Sequence, residues 1–475
     1  SNKQTFRGNV KSRINGFGLN YLETNVWDLE DMKQKFKQAV KLTREGKPNF
    51  IEIDCYRLNS HSKGDDNRSD SEINTFYEKD LLNIYKNNNI EIVNHYIKTF
   101  RKQFDSYYKS SKQYHLCTPP SQKEYIYNQE VKSLEPSANI EKDKRINQLI
   151  YESLKKILLN DKSILIGEDI ENKNKFKDKE YGGAFKVTQD LSDLFPNKVI
   201  NTPISESAII GLGIGLSLNK VYSIVEIMFG EFLTLGFDQI LQQASKIPEM
   251  YGQEVDIPLI IRTPMGGRRG YGPTHSQNIE KHFLFIPNIS LYAVNSIYDP
   301  RLLYDSIIKN DQKTSIVIED KILYTKFFNQ RELVGYKINQ TNENFPTLII
   351  QPESIDPTHT IFTYGGMLDE VLDSLPILFE EEFFPRIICP SRICPLNIYP
   401  LIESLKTASD LLFIEEGSKS GAISSEIISY LNEKDINFKL FDRISNEAII
   451  PCSKNAELQT VPNKNLIIEK ILNKI

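Results

Sequence analysis

An α/β protein with parallel sheets flanked by helices is the fold class that this 475-residue sequence predicts. Short apolar runs of buried-strand type, KVYSIVEI, DIPLIIRT and SIVIED, alternate with helix-length segments from about residue 144 to 319, a rhythm that suits strands covered on both faces. The same rhythm restarts after Phe345-Pro346 with TLIIQ, HTIFTYG, a helix near Met367 to Phe379, RIICP, LLFIEEG and a helix over Ala422 to Leu431. At roughly 150 residues per domain, the length itself suggests about three domains.

Taken in order, Asp28 to Glu45 carries Leu29, Met32, Phe36, Val40 and Leu42 near helical spacing, and Gly46-Lys47-Pro48 stops it before the strand FIEIDCYR. Residues 58–74 are polar and irregular, and residues 74–110 read as helical. The following stretch has Pro, Ser and charge without periodicity and reads as a linker. A new amphipathic helix, INQLIYESLKKILL, leads into SILIGEDI. The expected organisation is therefore a first domain at 1–113, a linker at 114–140, and α/β domains at 141–335 and 340–475.

Composition narrows the function classes. With 58 Lys and Arg against 63 Asp and Glu, the net charge is −5; no basic field exists for nucleic acid. The most apolar region, Ala208 to Phe237, is broken by Lys220, Glu226 and Glu231, so no membrane span is expected. Five scattered cysteines without a CxxC pair indicate neither a disulfide framework nor a cysteine metal site, and a reducing cytoplasm is the simplest home.

Three stretches could carry chemistry. RTPMGGRRGYGPTHSQ, Arg262 to Gln277, follows a strand with four glycines and presents His275 beyond them; histidine suits proton transfer near neutral pH, although a surface loop with an ordinary histidine has the same pattern. In NTPISESAIIGLGIGLSL, Glu206 stands where an extended segment meets an apolar helix. It is either a first-turn acid favoured by the helix dipole or a buried carboxylate serving a cofactor. Gly211, Gly213 and Gly215 do not fit the dinucleotide fingerprint and suggest a small face for close helix packing. YRLNSHSKGDDNR places His61, Ser62, Asp65 and Asp66 beyond a strand; alone it is a weak signal.

Together these stretches resemble a family. The run GEDI, YGGAFKVTQDL, VINTPISESAIIGLGIGLSL, VEIMFGEF and IRTPMGGRRGYGPTHSQNIE, followed by EDKILY and IEEGSKSGAISSEI, resembles the β subunit of the thiamine-diphosphate-dependent decarboxylating component of 2-oxoacid dehydrogenase complexes, of pyruvate and branched-chain type. Upstream, FIEIDCYRLNSHSKGDDNRSDSEI resembles the C-terminal piece of that component's α subunit. The order implies a single-chain fusion with a transketolase-like architecture.

The resemblance implies roles residue by residue. Glu206 matches the carboxylate that engages the cofactor's aminopyrimidine, which then deprotonates the thiazolium. Phe232 matches the aromatic position that stacks on the pyrimidine, and Met228 lies one helical turn earlier if EIMFGEF is helical. Plain core packing is the alternative for both. His275 and His61 match histidines that orient and protonate the 2-oxoacid, and Glu168 an acid implicated in communication between cofactor sites. The family's Gly-Asp-Gly motif for Mg²⁺ does not occur in the sequence, so the metal's ligands are expected outside this chain. A K⁺ ion is implied without a place.

The expected activity is oxidative decarboxylation of a 2-oxoacid, with the acyl group passed to the lipoyl domain of an acyltransferase, by a homodimer. A stand-alone carboligase and a degenerate scaffold lacking the diphosphate site are the alternatives.

Overall fold

The computed structural model describes residues 8–60, 68–112, 125–134, 144–172, 181–250, 255–328 and 333–475. The chain divides into two compact units, Ser1–Pro120 and Ser121–Ile475.

In the first unit, strand β1 (Asn20–Asn25), the helix Leu29–Arg44 and strand β2 (Asn49–Asp54) form a βαβ unit, with Asn20 opposite Asn49 in a parallel pair. The Asp28 carboxylate accepts from Asp31 N at 3.0 Å and starts the helix. Gly46, at φ 73°, ends it. The helical stretch read over 74–110 is three helices, Asp70–Glu78, Leu81–Asn88 and Ile90–Ser111. The first break is made by Asp80, whose side chain caps the second helix through Asn83 N. Among the described residues of this unit, Leu22 and Ala39 are its buried apolar side chains.

The second unit holds, in chain order, β3 (Tyr125–Ile126), β4 (Val131–Ser133), β5 (Ser163–Gly167), β6 (Val199–Asn201), β7 (Tyr222–Glu226), β8 (Leu259–Met265), β9 (Ile289–Ala293) and β10 (Thr314–Asp320). After these come β11 (Tyr336–Thr341), β12 (Thr347–Pro352), β13 (His359–Phe362), β14 (Pro385–Pro390), β15 (Arg392–Cys394), β16 (Leu396–Asn397), β17 (Asp410–Ser418) and β18 (Lys439–Asn446). Fourteen of them form two seven-stranded sheets, ordered β15-β9-β10-β8-β7-β5-β6 and β18-β17-β13-β14-β12-β11-β4, and β16 and β3 form a pair of their own. The first is parallel except for β15. The second is parallel from β18 to β14 and antiparallel beyond. Every residue of β8, β9 and β10 is buried, including Arg262 and Glu319.

Two features differ from the sequence reading. Within the expected linker, Tyr125–Ile126 and Val131–Ser133 are strands: β3 pairs with β16 and β4 with β11, Val131 lying opposite Thr341. Strands of two and three residues are too short to show a period of two. The stretches 141–335 and 340–475 also share one interior, because β15 joins the first sheet beside β9 and Leu165, Tyr292, Leu348, Ile387 and Leu412 lie in one buried apolar cluster.

Candidate active site

Strands β8, β7, β5 and β6 lie side by side and run parallel, with Glu226 opposite both Gly167 and Arg262, and Gly167 opposite Asn201. Their C-terminal ends therefore share one edge of the sheet, where α/β folds build their sites. Glu168 follows β5, Glu206 follows β6, Met228 to Phe232 follow β7, and the loop to His275 follows β8.

Glu206 is the first residue of the helix Glu206–Leu218 and is 7% exposed. Its helix lies hard against the sheet: a Cβ on Gly213 would stand 2.6 Å from Val225 Cγ2 and 3.0 Å from Leu259 Cδ1. Of the three glycines expected to form a packing face, Gly213 meets the sheet and Gly211 faces Gln239, while a Cβ on Gly215 would meet nothing within 4 Å. A carboxylate at the first turn of a helix, at the C-terminal edge of the sheet, suits a ligand that shares a proton with it. Burial raises the Glu168 carboxyl above its ordinary range, with further contributions from the charges of Asp169 and Glu206. The two predicted acids thus lie within electrostatic reach of each other.

Met228 and Phe229 occupy a bend, and a 3₁₀ helix begins at Gly230. Met228 is therefore not one helical turn before Phe232, as a continuous helix would require. A Cβ at Gly230 would come within 2.3 Å of Met265 Cγ, which explains why the chain turns there on a glycine. The turn gathers the aromatic rings. The His275 ring stands edge to face against Phe229 and Phe232, at centroid distances of 4.6 and 5.4 Å. Tyr271 and Phe185 pack on Phe229 from 5.9 and 5.6 Å. His275 Nδ1 is 2.9 Å from Thr274 Oγ1, and both His275 and Phe232 are half-buried. His61 lies outside the described residues.

Sequence reasoning passed over the rest of this cluster. Phe229 is its hub, although it sits one residue before the glycine of the same FGEF motif. Lys321, in EDKILY, is fully buried with its Nζ 5.4 Å from the Phe229 ring centre, and no hydrogen-bond partner reaches it among the described residues. Burial pulls its pKa down, opposed by the charges of Glu231, Asp320 and Glu416. Beneath the site, the Arg262 guanidinium bonds Glu226 and both oxygens of Glu319, whose carboxylate also accepts from Tyr304 and Tyr324. With two carboxylates on one guanidinium, burial pushes Glu226 up. An arginine inside the strand DIPLIIRT was the available signal, since a buried charge demands a partner.

Among the described residues, no group of three or more His, Cys, Asp or Glu side chains is placed to hold a metal ion. No described helix is long and apolar enough to cross a membrane.

Comparisons with known proteins agree with this geometry. Residues 144–326 match the family described as transketolase, pyrimidine binding domain, residues 352–465 match transketolase, C-terminal domain, and residues 1–116 match dehydrogenase E1 component. The chain is 31% identical over 319 residues to the pyruvate dehydrogenase E1 component subunit beta of Gracilaria tenuistipitata var. liui, covering 66% of this chain and 93% of that protein. The corresponding subunit of Porphyra purpurea is 30% identical over 318 residues, with coverages of 65% and 89%. A chloroplastic subunit beta-3 of Arabidopsis thaliana is 29% identical over 272 residues, covering 57% of this chain and 62% of that protein. Among solved structures, a transketolase from Campylobacter jejuni subsp. jejuni aligns with TM-score 0.59 at 15% identity, over 100% of this chain and 70% of that one. A split-gene transketolase, described as an inactive beta4 tetramer, aligns with TM-score 0.53 at 15% identity, over 70% and 98%. At that identity the two structures show a transketolase-like fold.

Proposed function

Since the chain belongs to the family of pyruvate dehydrogenase E1 components, we propose that it decarboxylates a 2-oxoacid with thiamine diphosphate and passes the acyl group to a lipoyl group of an acyltransferase. The observation that carries this reading is the convergence of Glu206, Phe232 and His275 on one sheet edge, from three separate loops.

The residues fit the aminopyrimidine end of that cofactor. Glu206 offers a carboxylate on a nearly buried residue at the first turn of its helix, suited to share a proton with a ring nitrogen. Phe232 offers a half-buried ring for stacking, and Met228 flanks it from the preceding bend. When bound, thiamine diphosphate supplies the electron sink for loss of CO₂. His275 holds or delivers a proton at an imidazole nitrogen, its ring fixed between Phe229 and Phe232. The resemblance also gives His61 a part in handling the 2-oxoacid. Glu168 takes part in communication between two cofactor sites. Mg²⁺ is bound through ligands outside this chain, and K⁺ is an accessory ion. The working form is a homodimer in a reducing cytoplasm, where Cys55, Cys389 and Cys452 remain thiols.

The test is CO₂ release from carboxyl-labelled pyruvate and branched 2-oxoacids, with thiamine diphosphate, Mg²⁺ and an artificial electron acceptor, followed by addition of a lipoyl domain. Release of CO₂ and acylation of the lipoyl domain are expected. Carbon–carbon bond formation with an added aldehyde, and no acylation, would make the protein a carboligase. Absence of both turnover and cofactor binding would make it a scaffold.

A further inference from the structure

The loop that ends at His275 is held by carboxylates contributed from more than 140 residues further along the chain. Gly267 N donates to Glu416 Oε1 at 2.5 Å, and Gly270 N donates to Glu457 Oε2 at 2.6 Å. Between these two anchors, Arg268 takes φ 68° and buries its guanidinium against Asp320 and Glu370, both at 2.6 Å, and Glu416 at 3.0 Å. Glu370 in turn accepts from Lys464 N at 2.9 Å. A non-glycine residue with positive φ persists where its surroundings over-determine it.

The rest of the loop is seated equally closely. A Cβ on Gly267 would stand 2.8 Å from Glu457 Oε1, one on Gly270 would stand 3.4 Å from Lys454 Cβ, and one on Gly272 would stand 3.2 Å from Cys452 Sγ. Gly272 O then accepts from His275 N at 3.3 Å. All these residues lie within the unit Ser121–Ile475. Glu416 belongs to β17, and Glu457 to the helix Lys454–Thr460. Both are buried, at 3% and 0% exposure. A carboxylate accepting a backbone N–H in such a place makes a short, charge-assisted bond.

We propose that Glu457 and Glu416 are positioning residues for His275: by clasping the backbone at Gly270 and Gly267, the C-terminal part of the chain sets where the imidazole stands. The inference rests on the role given to His275 under the proposed function. It assigns to the third block of the sequence a part in the chemistry carried out on the second.

The test compares Glu457→Ala, Glu457→Gln and Glu457→Asp in the intact chain. The amide oxygen of Gln can still accept from Gly270 N; Ala cannot, and Asp withdraws the acceptor by one methylene while keeping its charge. Two readouts are taken on each variant: backbone hydrogen exchange of peptides spanning 266–277, followed by mass spectrometry, and single-turnover decarboxylation. Glu457→Ala is expected to speed exchange in this segment at least tenfold and to cut turnover by about 10²-fold with thiamine diphosphate affinity unchanged, the scale on which displaced catalytic groups lose rate. Glu457→Gln is expected to restore both, and Glu457→Asp to fall between. If Glu457→Ala does not fold, the Asp and Gln variants carry the same comparison.

Exchange in 266–277 unchanged by Glu457→Ala or Glu457→Asp would overturn the clasp. Faster exchange with wild-type turnover, in a protein whose His275→Ala variant is inactive, would overturn positioning. Wild-type turnover by His275→Ala itself would overturn the role of the histidine and positioning with it, while the exchange data would separately report whether the clasp exists.

Discussion

Gly213 and Gly215 lie two residues apart on the helix headed by Glu206, and replacing each by alanine should move stability in opposite directions. At Gly213 the added methyl would sit 2.6 Å from Val225 Cγ2 and 3.0 Å from Leu259 Cδ1, both in fully buried side chains on adjacent strands. Ordinary contact begins near 3.5 Å, so the helix must retreat by several tenths of an ångström to about 1 Å. Overpacking of this kind costs about 1–3 kcal/mol, and the better helix propensity of alanine returns about 1 kcal/mol. The net effect of Gly213→Ala is a loss of up to about 2 kcal/mol. At Gly215 the methyl would meet nothing within 4 Å on an exposed face, so the propensity gain of about 1 kcal/mol stands alone. Urea unfolding followed by circular dichroism should rank Gly215→Ala above wild type and wild type above Gly213→Ala. Because the same retreat moves Glu206, Gly213→Ala should also weaken thiamine diphosphate binding while Gly215→Ala leaves it unchanged. Equal shifts of the two midpoints, in either direction, would refute the claim that the helix is held at contact distance by Gly213.

Other outcomes follow from groups around the site. Burial, reinforced by the charge of Glu280, lifts the Glu415 carboxyl from its ordinary 4.5 to about 7. A raised acid stabilises the fold in its protonated state, so its contribution is present below pH 4.5 and lost as pH rises through 7. The loss amounts to at most about 3 kcal/mol. Glu415→Gln should therefore flatten the fall in melting temperature between pH 5 and 8, and an unchanged pH profile would contradict this. Glu319→Ala would leave the buried Arg262 guanidinium with Glu226 as its one carboxylate and take the acceptor from the hydroxyls of Tyr304 and Tyr324, at a cost of about 1–3 kcal/mol; a denaturation midpoint close to wild type would show the network to be dispensable. His275→Ala should leave cofactor affinity nearly unchanged and cut single-turnover decarboxylation by about 10² or more, and unaltered kinetics would remove the histidine from the chemistry.

Residues whose evidence is local were legible in the sequence. Glu206 opens an apolar helix directly after a short strand, and His275 follows a glycine-rich loop directly after another, so punctuation singled both out, while their roles came from the family resemblance. Gly213 showed only that a small residue stood there; which of the three glycines meets the sheet depends on the rotation of the helix about its axis. The Met228 reading rested on EIMFGEF being helical, whereas the chain bends at Met228 and Phe229 and turns on Gly230, where a Cβ would clash with Met265. The strands at 125–134 were hidden because their pairing partners lie more than 200 residues away. The same distance hid the carboxylates on the glycine-rich loop: Glu457 and Gly270 are 187 residues apart, and no local pattern in one announces the other.

The central claim is that Glu206 activates thiamine diphosphate, and proton–deuterium exchange at the thiazolium C2 of added cofactor, followed by NMR in quenched samples, tests it most directly. The wild-type protein, with Mg²⁺ and the polypeptide that supplies its ligands, is expected to accelerate this exchange over free cofactor, and Glu206→Gln to lose about 10²-fold or more of that acceleration. Equal exchange rates with wild type and Glu206→Gln, or no acceleration by the wild type, would contradict it.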